Sequence, residues 1–265
     1  MTDLSLKAVL DTAMTSEEGI TFSVSDNWKQ GRTAFGGFTA ALLLSAARSL
    51  VDGLPPLRSA LINFTAPVSS PPTLSGRLLR RGRNVTTVQV DAHCEGKLAA
   101  TAVFSFGVAQ DSHVVESLPA PAAIAPEKAE PFVPEGVVLP VNFLRNFEVR
   151  LIDGHRPFSG AETGYVRVWA RHKDPEIHDH PEALMSIADL LPPAVFSMAR
   201  KPGPNSSMNW ICNFLSEDLT TKNGWWMLES RLTMAQDGYS SQVMRAWNAK
   251  GELVVDGMQS VVIFV

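Results

Sequence analysis

Hydrophobic residues are arranged along this chain in one long block followed by several alternating ones, and the whole order then recurs. Residues 38–50 are apolar or small with few interruptions, too long a run for a strand, and predict a buried helix opened by Gly36-Gly37 and stopped by Pro55-Pro56. Upstream, residues 21–28 alternate and predict an entry strand. Downstream, 57–66, 74–81, 86–94 and 98–108 alternate with turn residues between them and predict four strands. Residues 110–142 are rich in Ala, Pro and Glu, keep no period, and read as a connector whose apolar content suggests that it lies against the surface. Strands are then expected at 143–152 and 165–171, followed by a helix over 181–191. Pro181 suits its first turn and Pro192-Pro193 stops it. Four more strands are expected at 208–216, 225–235, 241–249 and 253–265.

The second series is a rebuilt copy of the first. Gly96-Lys97-Leu98 answers to Gly251-Glu252-Leu253 at an offset of 155 residues, Asn63-Phe64 to Asn213-Phe214 at 150, and the helical run 41–47 to 183–189 at 142. The drift is confined to loops. Each copy has one apolar helix followed by an antiparallel run of strands, an order in which the sheet wraps the helix and each buries the apolar face of the other. Pairing the two units edge to edge into one sheet also removes two exposed strand edges. The expected organisation is a first repeat over 1–109, a connector over 110–142 and a second repeat over 143–265.

Composition narrows the function classes. A formal net charge of −4 provides no basic face for nucleic acid. Charged residues scattered through positions 1–20 break any signal-like apolar segment, and no later run is long enough to span a bilayer. Cys94 and Cys212 both fall in expected strands and read as free buried thiols. A cytoplasmic location is the expectation. No Gly-x-Ser-x-Gly elbow and no phosphate-binding glycine loop occurs. His172, His178 and His180 lie among charges near Pro175 and read as a solvated loop rather than a metal site. Arg77, Arg80, Arg81 and Arg83 read as a charged hairpin facing water.

Particular residues carry a resemblance over nearly the whole chain. They are Trp28 with Phe35-Gly36-Gly37 before the first helix, Phe64-Thr65-Ala66-Pro67-Val68, the Arg81-Gly82-Arg83 turn, and Ala188-Asp189-Leu190-Leu191-Pro192 at the second helix. In this order they resemble the acyl-CoA thioesterase II family. The resemblance implies an α+β double hotdog fold, two tandem repeats each with an antiparallel sheet around a central hydrophobic helix. It also implies hydrolysis of acyl-CoA with no cofactor and no metal. The family's Asp on the second helix, Thr or Ser on the next strand and Gln on the last strand fall on Asp189, Ser207 and Gln259. The chain departs from the family at Asn209 and Trp210, where relatives often carry Asp and His, and at Phe38, where a Gln is common.

The internal repeat weighs these candidates separately. Through the three offsets Asp189 maps to Ala47, Ser207 to Leu57 and Gln259 to Phe104, all apolar, so polar groups at these places ask for a reason beyond packing. Asp189 stands among Ile187, Ala188, Leu190 and Leu191, where an unpartnered carboxylate is costly, and the bland alternative is a helix-end carboxylate bonded to backbone amides. Gln259 shares a strand face with Val255, Gly257, Val261 and Ile263, and the bland alternative is a structural amide tying the lobes. By simple alternation Ser207 shares a face with Asn209 and Asn213, opposite Met208, Trp210 and Cys212, and an ordinary solvent-facing serine is its alternative. Gly36 and Gly37 are expected to let substrate approach the helix-start amides, or else only to admit a tight helix entry. The expected partner is acyl-CoA, with neither nucleic acid nor membrane, and a homo-oligomer is an open alternative. Against hydrolysis stand two rivals. One is a non-catalytic acyl-CoA or lipid-binding double hotdog protein. The other is a hotdog hydratase, disfavoured because no His neighbours Asp189.

Overall fold

The computed structural model describes residues 3–138 and 140–264. Met1, Thr2, Leu139 in the connector and Val265 at the end of the last expected strand lie outside the described residues. In chain order the helices are α1 (Leu6–Leu10), α2 (Gly36–Leu50) and α3 (Pro181–Ala188). The strands of the first half are β1 (Met14–Ser16), β2 (Gly19–Thr21), β3 (Lys29–Gln30), β4 (Thr33–Ala34), β5 (Leu57–Phe64), β6 (Thr73–Arg81), β7 (Val85–Cys94) and β8 (Lys97–Gly107). Those of the second are β9 (Glu130–Pro131), β10 (Phe147–Gly154), β11 (Tyr165–His172), β12 (Asn205–Phe214), β13 (Trp226–Gln236), β14 (Tyr239–Trp247) and β15 (Leu253–Ile263).

Thirteen of these strands form one antiparallel sheet in the order β1-β2-β6-β7-β8-β5-β12-β15-β14-β13-β11-β10-β9. Read outward from the β5–β12 seam, β5-β8-β7-β6 corresponds to β12-β15-β14-β13, and β2-β1 and β11-β10-β9 complete the two edges; at the seam Cys212 pairs with Ala60 and Trp210 with Ile62. The two repeats thus join edge to edge, and the four-strand runs expected downstream of each helix are present. Even the irregularities repeat. Register shifts at Leu57/Ser59, Leu78/Arg80 and Ala92/His93 recur at Ser207/Asn209, Leu232/Met234 and Ala246/Trp247. A bulge bends its strand and increases its twist, and here bulges curve both halves around their helices.

Helix α2 is buried along most of its length, as the unbroken Ala and Leu run requires: Ala40, Ala41, Leu43, Leu44, Ala46 and Ala47 are all fully enclosed. Each enclosed leucine stabilises the fold by roughly 1.5–3 kcal/mol. Helix α2 lies on β6, β7 and β8, α3 on β11 and β14, and the two helices meet each other on the concave side. Trp28 anchors the start of α2 by stacking on Phe38 at 4.8 Å, while Phe35 stacks on Phe143 of the second half at 4.1 Å.

Three expectations are corrected. Residues 21–28 do not form an entry strand: only Thr21 belongs to β2, and Asp26–Trp28 is a 3-10 turn. Ser25 donates to Asn27 there, and Asn27 donates to the Leu4 carbonyl and to Asn146, so side chains satisfy what a ladder would have satisfied. The second helix stops at Ala188 rather than 191, with Asp189 as its C-cap at φ −94° and ψ 5°. The first twenty residues, for which no element was expected, hold α1 and the β1–β2 hairpin that covers one sheet edge. Residues 110–142 reach the second half of the sheet, with β9 paired to β10. Trp169 and Trp247 donate their indole N–H groups to the carbonyls of Ile124 and Leu118. No described helix is long and apolar enough to cross a membrane.

Candidate active site

Helix α2 begins without a side-chain cap of its own, because Phe35 offers no acceptor to the first-turn amides. The other repeat brings a carboxylate to this helix start: Asp189 lies beside Gly36 and Gly37, and the Gly37 amide favours its ionised form. Both glycines are needed for this approach. A Cβ on Gly36 would stand 2.7 Å from Asp189 Oδ2, and one on Gly37 would overlap the Ser186 carbonyl. Gly36 and Gly37 are therefore committed to the α2–α3 contact. Their conformation is ordinary helix, and close approach is the reason for glycine here.

Asp189 is 8% exposed. Its Oδ1 accepts a 2.7 Å hydrogen bond from Gln259 Nε2 on β15. Burial raises its carboxyl well above the usual range, to about 7, against the opposing pull of the bonds from Gln259 and Gly37. The positive end of α2 adds to that pull. Among the described residues no charged side chain pairs with the group, so its proton is poised near neutrality, where a general base works best.

Gln259 is held in turn by a residue that the sequence reading missed. Gln242 on β14 is wholly enclosed and donates from Nε2 to Gln259 Oε1 at 2.9 Å, while its own Oε1 accepts from the Ala194 amide at 2.6 Å. The signal was in the repeat: Gln242 pairs with Gln259 as Val88 pairs with Phe104, so Gln242 is a second polar replacement of an apolar position.

Ser207 lies on the other side of Gln259, and here the expected face is corrected. Met208 is the extra residue of the bulge in β12, so Ser207 stands opposite Val261 and Trp210 opposite Gln259. Three residues on β12 thus span two on β15, which turns Ser207 to the same inner face as Trp210, Gln259 and Val261, while Asn209 faces out. The structure brings Asp189 and Gln259 into hydrogen-bond contact, beside Gly36 and Gly37 at the start of α2. Ser207 joins their face, but its hydroxyl bonds neither Asp189 nor Gln259.

Two other features are structural. His172 and His178 are tied to backbone, His172 Nε2 with the Ala183 carbonyl and His178 Nε2 with the His172 carbonyl, and burial lowers the His172 pKa to about 4. Cys94 and Cys212 are free and buried. Surface cavities of about 230 and 260 Å³, beside Trp28 and beside Phe147, share no residue with the Asp189 cluster.

Two repeats joined in one antiparallel sheet around two touching helices, with a buried carboxylate where the helices meet, define a double hotdog protein. Residues 24–107 match the family model of the acyl-CoA thioesterase N-terminal domain, and residues 118–263 that of the acyl-CoA thioesterase C-terminal domain. The chain belongs to the acyl-CoA thioesterase family, enzymes that hydrolyse thioesters. Among solved structures it is similar to a conserved protein with a hot dog fold from Alicyclobacillus acidocaldarius, at 22% identity and a TM-score of 0.86 over 100% of this chain and 99% of that one. It is also similar to a tesB protein of Mycobacterium avium subs paratuberculosis, at 19% and 0.79 over 98% of each chain. An acyl-CoA thioesterase II of Mycobacterium marinum gives 20% and 0.75, again over 98% of each. A comparison with curated protein sequences gives no match.

Proposed function

We propose that this thioesterase releases free acid and coenzyme A from acyl-CoA by direct attack of a water molecule, with Asp189 as the general base. The observation that carries the reading is the carboxylate of Asp189, buried without a cation, titrating near 7 and bonded to Gln259. In the ionised form it takes a proton from water as the water oxygen bonds to the thioester carbonyl carbon. The tetrahedral oxyanion then collapses, the carbon–sulfur bond breaks, and the departing thiolate takes up the proton from Asp189. No covalent acyl-enzyme is needed. Gln259 has a second N–H on Nε2 beyond the one given to Asp189, and Ser207 adds a hydroxyl on the same face. Both are neutral, so they orient water without competing for its proton. The positive end of α2 lies against the Asp189 carboxylate, with Gly36 beside Asp189 Oδ2, so its dipole favours negative charge at the reacting centre.

The test follows free thiol as acyl-CoAs of several chain lengths are added to the wild type and to Asp189→Asn. Turnover by the wild type and a fall of about 10²–10⁴-fold in the variant are expected. Acyl-CoA binding without thiol release in the wild type would return the chain to the non-catalytic binding reading. A variant as fast as wild type would remove Asp189 from the chemistry.

A further inference from the structure

A glutamine amide has an acceptor at one corner and a donor at the other, and a row of such amides has a direction. In this protein the direction is set by a group that cannot turn. Ala194 opens the 3-10 turn Ala194–Ser197 after Pro193, so its N–H has no partner within that turn and can only donate. It donates to Gln242 Oε1 at 2.6 Å. The NH2 of Gln242 must then face Gln259 Oε1, at 2.9 Å, and the NH2 of Gln259 must face Asp189 Oδ1, at 2.7 Å. Turning either amide over would set N–H against N–H at Ala194, or carbonyl oxygen against carboxylate at Asp189. Gln242 is wholly enclosed and Gln259 nearly so, so water cannot substitute for a lost partner in the row.

The row also closes on itself. Its two ends, the Asp189 carboxylate and the Ala194 amide, belong to one short segment stiffened by Pro192 and Pro193. In the first repeat the equivalent pair is Val88 beside Phe104, so the polar row occurs only in the repeat that has the carboxylate.

We infer that Gln242 is a positioning residue for thioester hydrolysis: anchored on the Ala194 amide, it locks Gln259 with its NH2 toward Asp189 and the reacting water. The inference rests on the reading of Asp189 as base. Gln242 itself does not touch substrate. Its removal frees the Gln259 amide to rotate, which lowers the rate of the chemical step and leaves acyl-CoA binding alone.

Gln242→Met and Gln242→Glu distinguish this role from plain packing. Both keep the length of the side chain. Methionine removes the anchor, whereas a glutamate carboxylate can still accept from Ala194 but only accept from Gln259, which turns the Gln259 carbonyl toward Asp189. Thiol release from acyl-CoA, measured well below each variant's melting temperature, is expected to show kcat down about 10- to 100-fold in Gln242→Met with KM unchanged, as for groups that orient a functional side chain. Gln242→Glu is expected to be slower still. In a Gln259→Ala background, Gln242→Met should cost nothing further. Wild-type kcat in Gln242→Met beside an inactive Asp189→Asn would overturn the inference and leave the base standing, as would a Gln242→Met loss that persists undiminished without Gln259. An Asp189→Asn variant of wild-type rate would overturn both. Should Gln242→Glu fail to fold, the methionine variant and the double-variant cycle decide alone.

Discussion

Where the second repeat has Asp189, Gln242 and Gln259, the first has Ala47, Val88 and Phe104, each fully enclosed, in a sheet that matches down to its bulges, although α2 continues past Ala47 while α3 stops before Asp189. The first repeat is what this architecture does when packing is the sole demand. Among the described residues, the buried side-chain polar atoms without a partner are Glu182 Oε2, Ser186 Oγ, Trp210 Nε1, Ser230 Oγ and Ser240 Oγ, and all belong to the second repeat. Polar groups enclosed in this way cost stability when unsatisfied. Their concentration on one side of a duplicated fold therefore separates what the fold requires from what the chemistry requires. The apolar half also supplies a share of the site, since the start of α2 meets the carboxylate from α3.

This contrast is open to attack, most severely by carrying the carboxylate across. Ala47→Asp buries a charge with no amide row beneath it and should destabilise by about 3–5 kcal/mol, visible as a lowered denaturation midpoint, without creating a second active centre. A melt equal to wild type would show that the two interiors are interchangeable.

Removing the charge from its native place tests the same contrast in the opposite direction. With Asp189 near 7 in the folded chain and near 4 in the unfolded one, the folded chain keeps a proton that the unfolded chain has released between those values. Stability contributed by this group is therefore full below about pH 4 and is lost as the pH rises toward 7, by up to about 4 kcal/mol. Burial of His172 adds a rise in stability over part of the same window to both chains, so the Asp189 slope should show as the difference between wild type and Asp189→Asn, with the wild type losing stability relative to the variant as the pH rises. In the same range kcat/KM should climb and level off above about pH 7, because the base works only when ionised. The smallest effect belongs to Ser207→Ala. Losing one neutral hydrogen bond to the water should cost about 0.5–1.5 kcal/mol in kcat with an unchanged melt. A rate equal to wild type would reduce Ser207 to a passive wall.

Most of the fold was legible in sequence because its signals are regional. The run 38–50 cannot be a strand, and alternation over eight to eleven residues survives small errors of register. What failed was local. At residues 21–28 the alternation of Phe22 and Val24 was overruled by Ser25 and Asn27 bonding to the backbone of Leu4, just before α1, and to Asn146. At Ser207 a strict period of two gave the wrong face, because Met208 is an inserted residue that no alternation rule detects; Arg58 makes the same insertion in the first repeat. Gln242 escaped for another reason. Its neighbours Ser240 and Ser241 make that strand look polar, and only aligning it with Val88 exposes the replacement.

The β5–β12 seam has a consequence for how such a centre can arise. Two identical halves assembled as separate chains obey their symmetry: a carboxylate gained on one helix is gained on both, and each must then be accommodated. Once a peptide connection makes the halves neighbours in a single gene, one can specialise while the other stays a scaffold, and the burden of an ionisable interior is carried a single time.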